Sequence, residues 1–150
     1  MTPPESPMDL ALQEAFKAAQ RGEVPVGAVI VTRRGEVVAR AGNCTLELKD
    51  PTAHAEMLAI RAACVRLGSE RLNGASIYVT LEPCAMCAAA ISFARLARLY
   101  YGAPDPKGGA VDHGTCFFDQ PTCHHVPEVY GGIGEARSAL LLKDFFRARR

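Results

Sequence analysis

Apolar side chains recur at helical spacing from Asp9 to Gln20, where Leu12, Ala15, Phe16 and Ala19 share a face before Arg21-Gly22 closes the run. The pattern then changes. Val26 to Thr32 and Glu36 to Gly42 are valine-rich and joined by Arg33-Arg34-Gly35, a glycine-containing link that predicts an antiparallel hairpin. Asp50-Pro51-Thr52 supply capping side chains and a first-turn proline ahead of Leu58, Ile60, Ala62, Cys64, Val65 and Leu67, with Gly68 as the stop of a second helix. Ser76 to Thr80 reads as a strand, Cys84 to Leu96 as a third helix and Leu99 to Ala103 as another strand. Val126 to Tyr130 reads as a fifth strand and Gly134 to Arg150 as a final helix.

The strand, helix, strand alternation in the middle of the chain calls for a parallel section of sheet with helices covering it. Residues 104 to 125 hold prolines, glycines, His113, His124 and His125 with little periodicity, the mark of a long functional loop or irregular segment. The opening residues are proline-rich and lack the basic and apolar regions of a secretory signal. They read as a short disordered tail over 1–8, leaving 9–150 as one domain.

Composition narrows the function classes. With 150 residues, 49% hydrophobic and 22% charged, the chain matches one compact domain, able to fold without a disulfide framework or a structural metal. A metal here is then for chemistry. Seventeen basic against sixteen acidic side chains leave +1, so nothing global marks a nucleic-acid binder, and RNA contact would need local charge. The longest strictly apolar run, Cys84 to Ile91, is far short of the ~18 residues of a membrane span. With no export signal, the chain is expected in the cytoplasm, where six cysteines stay reduced and serve metal binding or packing.

The informative constellation is His54-Ala55-Glu56 at the start of the second helix and Pro83-Cys84-Ala85-Met86-Cys87 at the start of the third. One imidazole and two thiolates make three zinc ligands. Cys84 and Cys87, three apart, lie about 60° apart on a helix, and the unpaired amides of a first turn favour thiolate over thiol. Three ligands leave a tetrahedral zinc one position short, as in catalytic sites that hold water there. Glu56 could fill that position or act as general acid and base. Spacing leaves both open, since residues two apart on an ideal helix point about 200° from each other.

These motifs resemble the zinc-dependent cytidine and nucleobase deaminases, whose H-x-E and P-C-x-x-C pair is matched residue for residue. Within that superfamily the chain is similar to the bacterial tRNA-specific adenosine deaminases over about Leu10 to Arg150. The similarity runs through Glu23-Val24-Pro25-Val26-Gly27-Ala28, Asn43, Asp50 to Glu56, Thr80 to Cys84, and Asp144-Phe145-Phe146-Arg147. The resemblance implies a three-layer α/β/α sandwich with a five-stranded mixed sheet, one zinc per chain and a homodimer. It further implies deamination of adenosine to inosine at the wobble position of a tRNA anticodon stem-loop.

The resemblance assigns His54, Cys84 and Cys87 to the metal and Glu56 to proton transfer. Asn43 and the Ala55 amide would bind the flipped base, while Asp105, Lys107, Phe146 and Arg150 would contact the anticodon loop. Two rival functions share the metal motif: deamination of a free base or nucleoside such as guanine or cytosine, and a catalytically silent zinc-binding partner subunit. Such silent subunits typically lose the glutamate, and Glu56 is present. Cys116, Cys123, His113, His124 and His125 fit no zinc spacing, and Cys44 and Cys64 read as packing residues. The last helix carries Arg137, Lys143, Arg147, Arg149 and Arg150 against Glu135 and Asp144, a local excess suited to phosphates or to the helix dipole.

Overall fold

The computed structural model describes residues 5–149. Helix α1 (Pro7–Gln20) starts two residues before the sequence reading, so Pro7 and Met8 belong to the domain and not to the expected tail. The cause is a capping box: Ser6 Oγ accepts from Asp9 N–H while the Asp9 carboxylate accepts from Ser6 N–H, each at 3.1 Å. Strands β1 (Gly27–Val31) and β2 (Val37–Gly42) form the antiparallel hairpin. Then follow α2 (Ala55–Leu67), β3 (Ser76–Leu81), α3 (Ala85–Phe93), β4 (Arg98–Ala103), a single 3-10 turn at Phe117–Asp119, β5 (Glu128–Tyr130) and α4 (Glu135–Arg147).

The sheet order is β2-β1-β3-β4-β5, with β1 antiparallel to both its neighbours and β3, β4 and β5 mutually parallel. Both faces are covered, which is why all five residues of β1 are buried without alternation. Ala28 and Ile30 join Ala55, Ala59, Ile77, Val79, Ala88 and Ile91 in the main core, beneath α2 and α3. Val29 and Val31 point the other way, against Met8 and Ala11 of α1, and α4 completes that layer. This is the three-layer sandwich with a mixed five-stranded sheet.

Gly27 explains the depth of that packing. A Cβ there would run into the Ala11 carbonyl and lie 2.7 Å from Ala15 N, so only glycine lets α1 settle on β1. Helix α3 is shorter than its apolar run predicts. Arg95 adopts φ +61° and turns the chain, so that Leu96 leaves the helix and is fully buried beside the sheet. The segment 104–125 is irregular, as its lack of periodicity predicts, yet it is anchored by burial of Val111 and Phe118 in the main core.

Candidate active site

The amino-terminal ends of α2 and α3 converge at the carboxyl edge of β3 and β4, the crevice where open α/β sheets place ligands. His54 is the N-cap of α2 and Cys84 the N-cap of α3, both extended, at φ −72°, ψ 152° and φ −73°, ψ 175°. Neither uses its side chain to cap its helix. The imidazole and the thiol are therefore free to face each other. His54 Nδ1 lies 3.6 Å from Cys84 Sγ and 3.5 Å from Cys87 Sγ, and the three donor atoms fall within 4.8 Å of one another.

One borderline nitrogen and two soft sulfurs at that spacing form the donor set of a zinc ion with one position left open. Cys84 is the more acidic thiol, pulled down to about 4 by a hydrogen bond from Cys87, and then by His54, against the opposing effect of burial. Cys87 holds its proton more tightly than a free thiol because of the same bond and its burial. The His54 pKa is raised by its hydrogen bond with Cys84, with desolvation opposing. The two helix ends thus present two cysteine sulfurs, Cys84 the more acidic, and the His54 ring to an incoming cation.

Glu56 stands in the first turn of α2 and is 4% exposed. The 200° separation from His54 expected on an ideal helix does not arise, because His54 precedes the helix. Burial, then the neighbouring Cys84 charge, pushes the Glu56 carboxyl up to about 7. Both side chains line a cavity of about 290 Å³ together with Val24, Val26, Asn43, Thr45, Leu81, Glu82, Cys84, Asp105 and Gly108. That volume lies near the lower end of small-ligand pockets.

Asn43 accepts the Ala55 backbone N–H at 2.8 Å through Oδ1. The Ala55 amide is thereby engaged with Asn43. Its bond turns the hydrogen-bearing nitrogen of Asn43 into the end with hydrogens to offer a substrate. Val24, Leu81 and Asp105 also line a second, larger groove of about 700 Å³ with Pro104, Lys107, Leu142, Phe146 and Arg149.

The adjacent phenylalanines divide as helix geometry requires: Phe145 is buried at 8% exposure and Phe146, at 49%, faces the groove. Arg149 lies 3.6 Å above the Phe145 ring and donates to the Phe145 carbonyl. Arg150 lies outside the described residues. The histidines and cysteines of 113–125 do not converge. His113 pairs with Glu82, His125 with the Leu96 carbonyl, and Cys123 with Ser92, so among the described residues His54, Cys84 and Cys87 are the group able to hold a metal.

Sequence reasoning assigned no role to Glu23 and Glu82, each less than 3% exposed. Their signal was an acid set among residues that otherwise read as core: Glu23 before Val24-Pro25-Val26, and Glu82 between Leu81 and Pro83. Burial raises the Glu82 pKa, but hydrogen bonds from the backbone of Asp105, the His113 ring and the backbone of Asp112 and Val111 outweigh it and hold the carboxyl below its ordinary value.

Residues 1–103 match the model of the cytidine and deoxycytidylate deaminase zinc-binding region. The chain is 64% identical, over 95% of its length and 93% of the relative's, to a tRNA-specific adenosine deaminase of Agrobacterium fabrum. A solved structure from work on A-to-I editing by tRNA:A34 deaminases at the wobble position of transfer RNA superposes with TM-score 0.89. That match is 65% identical and covers 91% of this chain and 98% of the other. Guanine deaminase from Nitrosomonas europaea shares the fold, at TM-score 0.81 and 19% identity over 97% of this chain and 85% of its own. The donor set, the buried glutamate and these similarities together lead to one conclusion: the chain belongs to the tRNA-specific adenosine deaminases, a branch of the zinc-dependent cytidine and deoxycytidylate deaminase family.

Proposed function

We propose that this protein hydrolyses the wobble adenosine of a tRNA anticodon stem-loop to inosine, releasing ammonia. The observation that carries the reading is that two neighbouring cavities share Val24, Leu81 and Asp105 in their linings. The inner one is lined by Glu56, His54 and Cys84 and suits one base, while the outer one is large enough for a neighbouring nucleotide. A free-base deaminase needs only the inner cavity.

Zinc held by His54, Cys84 and Cys87 would supply Lewis-acid activation of water. The chain's own groups do the rest. Glu56, buried in the cavity lining, would take the water's proton and deliver it to N1 of adenine as C6 is attacked, then carry the proton of the new C6 hydroxyl to the amine, which leaves as ammonia. Burial raises the Glu56 carboxyl to about 7, and a cation at the donor set would favour its ionised form, the two opposing effects a group needs to serve first as base and then as acid. Asn43, fixed by the Ala55 amide, fits a hydrogen-bonding role at the base. Asp105, Lys107 and Phe146 line the outer groove, where Phe146 offers an aromatic face for stacking and Lys107 a cation for phosphate.

A homodimer in the cytoplasm belongs to the same reading. Val65 of α2 and Phe93 of α3 are large apolar side chains left exposed on the helical layer that bears the site, surface that an interface between copies would cover. No helix among the described residues is long and apolar enough to cross a membrane.

The test is a synthetic anticodon stem-loop with adenosine at the wobble position, assayed by ammonia release and nucleoside analysis beside free adenosine, cytidine and guanine. Inosine in the stem-loop with little turnover of the free compounds is expected. Fast turnover of guanine or cytosine without inosine would overturn the substrate, and silence on all of them with zinc bound would favour a partner subunit.

A further inference from the structure

Two buried carboxylates take no part in the proton transfers above, and each ends on a different loop of the cavity. Glu82 closes β3. Its Oε1 accepts from Asp105 N–H at 3.0 Å and from His113 Nδ1 at 2.7 Å, which carries the proton because the carboxylate can only accept. Its Oε2 accepts from the backbone N–H groups of Val111, Asp112 and His113 at 3.1, 3.0 and 3.2 Å. Five donors from one loop converge on one side chain. Gly109 is fitted to it, since a Cβ there would fall 2.6 Å from Glu82 Cδ.

Glu23 does the same opposite. Its Oε1 accepts from Leu46 N–H at 3.1 Å and Thr45 Oγ1 at 3.4 Å, and Oε2 from Glu47 N–H at 2.9 Å. Thr45 from one loop, and Asp105 and Gly108 from the other, then line the inner cavity. Loop amides at a surface can be satisfied by water at little cost, whereas burying a carboxylate costs free energy that only several good hydrogen bonds offset. The expenditure therefore serves position.

We propose that Glu23 and Glu82 are positioning residues that set the two walls of the substrate cavity, Glu23 holding 45–47 and Glu82 holding 105–113 in place before the nucleotide arrives. Neither touches the reacting atoms. The role rests on the stem-loop reading, which it deepens by naming what pre-organises the nucleotide site.

Each loop carries one lysine, Lys49 or Lys107, so limited trypsin digestion without RNA reads each wall separately. Glu82→Gln sets an amide NH₂ against backbone N–H donors. It is expected to speed cleavage after Lys107 alone, and Glu23→Gln after Lys49 alone, with zinc kept at one per chain. On the stem-loop, either variant should raise KM about tenfold or more while kcat at saturation stays within about threefold. Cleavage rates equal to wild type, zinc lost in step with activity, or a fall in kcat at constant KM would each overturn the proposal.

If Glu82→Gln does not fold, His113→Ala, which removes one of the five donors, should still speed cleavage after Lys107 and raise KM a few-fold. No change in either would overturn it equally. Digestion needs no RNA, so a wrong substrate would leave the tryptic result intact and fail only the kinetic arm.

Discussion

Glu56 and His54 reach one cavity although they stand two positions apart, because one lies inside α2 and the other caps it in an extended conformation. The cap is what allows a metal donor and a proton carrier to come from positions two apart with separate tasks. Glu56→Ala removes the carrier and none of the three donors. Zinc content and melting midpoint should stay close to wild type, while single-turnover deamination falls by more than about 10⁴-fold, since the carboxylate acts in several steps. Loss of zinc in this variant would make Glu56 a ligand, and retained turnover would remove it from the mechanism.

At the scale of elements, helix α1 never touches the metal site yet decides how the hairpin lies. It rests on β1 through Gly27 and is tied to α4 by the 2.8 Å pair of Asp9 with Arg137. That pair is largely at the surface and contributes little. The close approach at Gly27 matters more, because backbone has no room to yield. Gly27→Ala should cost about 1–3 kcal/mol or more by overpacking, a drop of at least about 2 °C in midpoint by calorimetry. An unchanged midpoint would mean that α1 can shift outward without loss.

Across the whole molecule, α2 and α3 meet the site with their positive ends, and zinc joins two helices that the sheet has already brought together. The core is continuous without the ion, so chelation should leave a folded chain of lower midpoint. Protons compete for the donors. Cys87 retains its proton above the ordinary thiol range and the His54 pKa is raised, so zinc uptake releases protons and its affinity must rise with pH. Near neutrality the Cys87 proton alone gives about a tenfold gain in affinity per pH unit. Competition with a chelator of known affinity at several pH values measures the slope. A flat profile would show that both sulfurs are already thiolates in the free protein.

The elements were legible from the chain because hydrophobic periodicity, valine-rich strands and glycine stops are local signals, and the metal donors because H-x-E and P-C-x-x-C are short. The resemblance that these motifs and their flanking segments carry extended this to the family and to a role for Asn43. What only the tertiary structure decided has one physical cause: contacts between residues distant in sequence. Asn43 takes its orientation from Ala55, twelve positions on. The loop 104–125 carries no periodicity because a buried carboxylate just past β3 organises it, not a repeating apolar face. Leu96 leaves its helix because the sheet offers it a buried place that the apolar run alone could not announce. The sequence by itself determined the helices, the strands and the atoms able to bind zinc; folding decided which amides and walls those atoms would face, since that depends on where a side chain's distant neighbours come to rest.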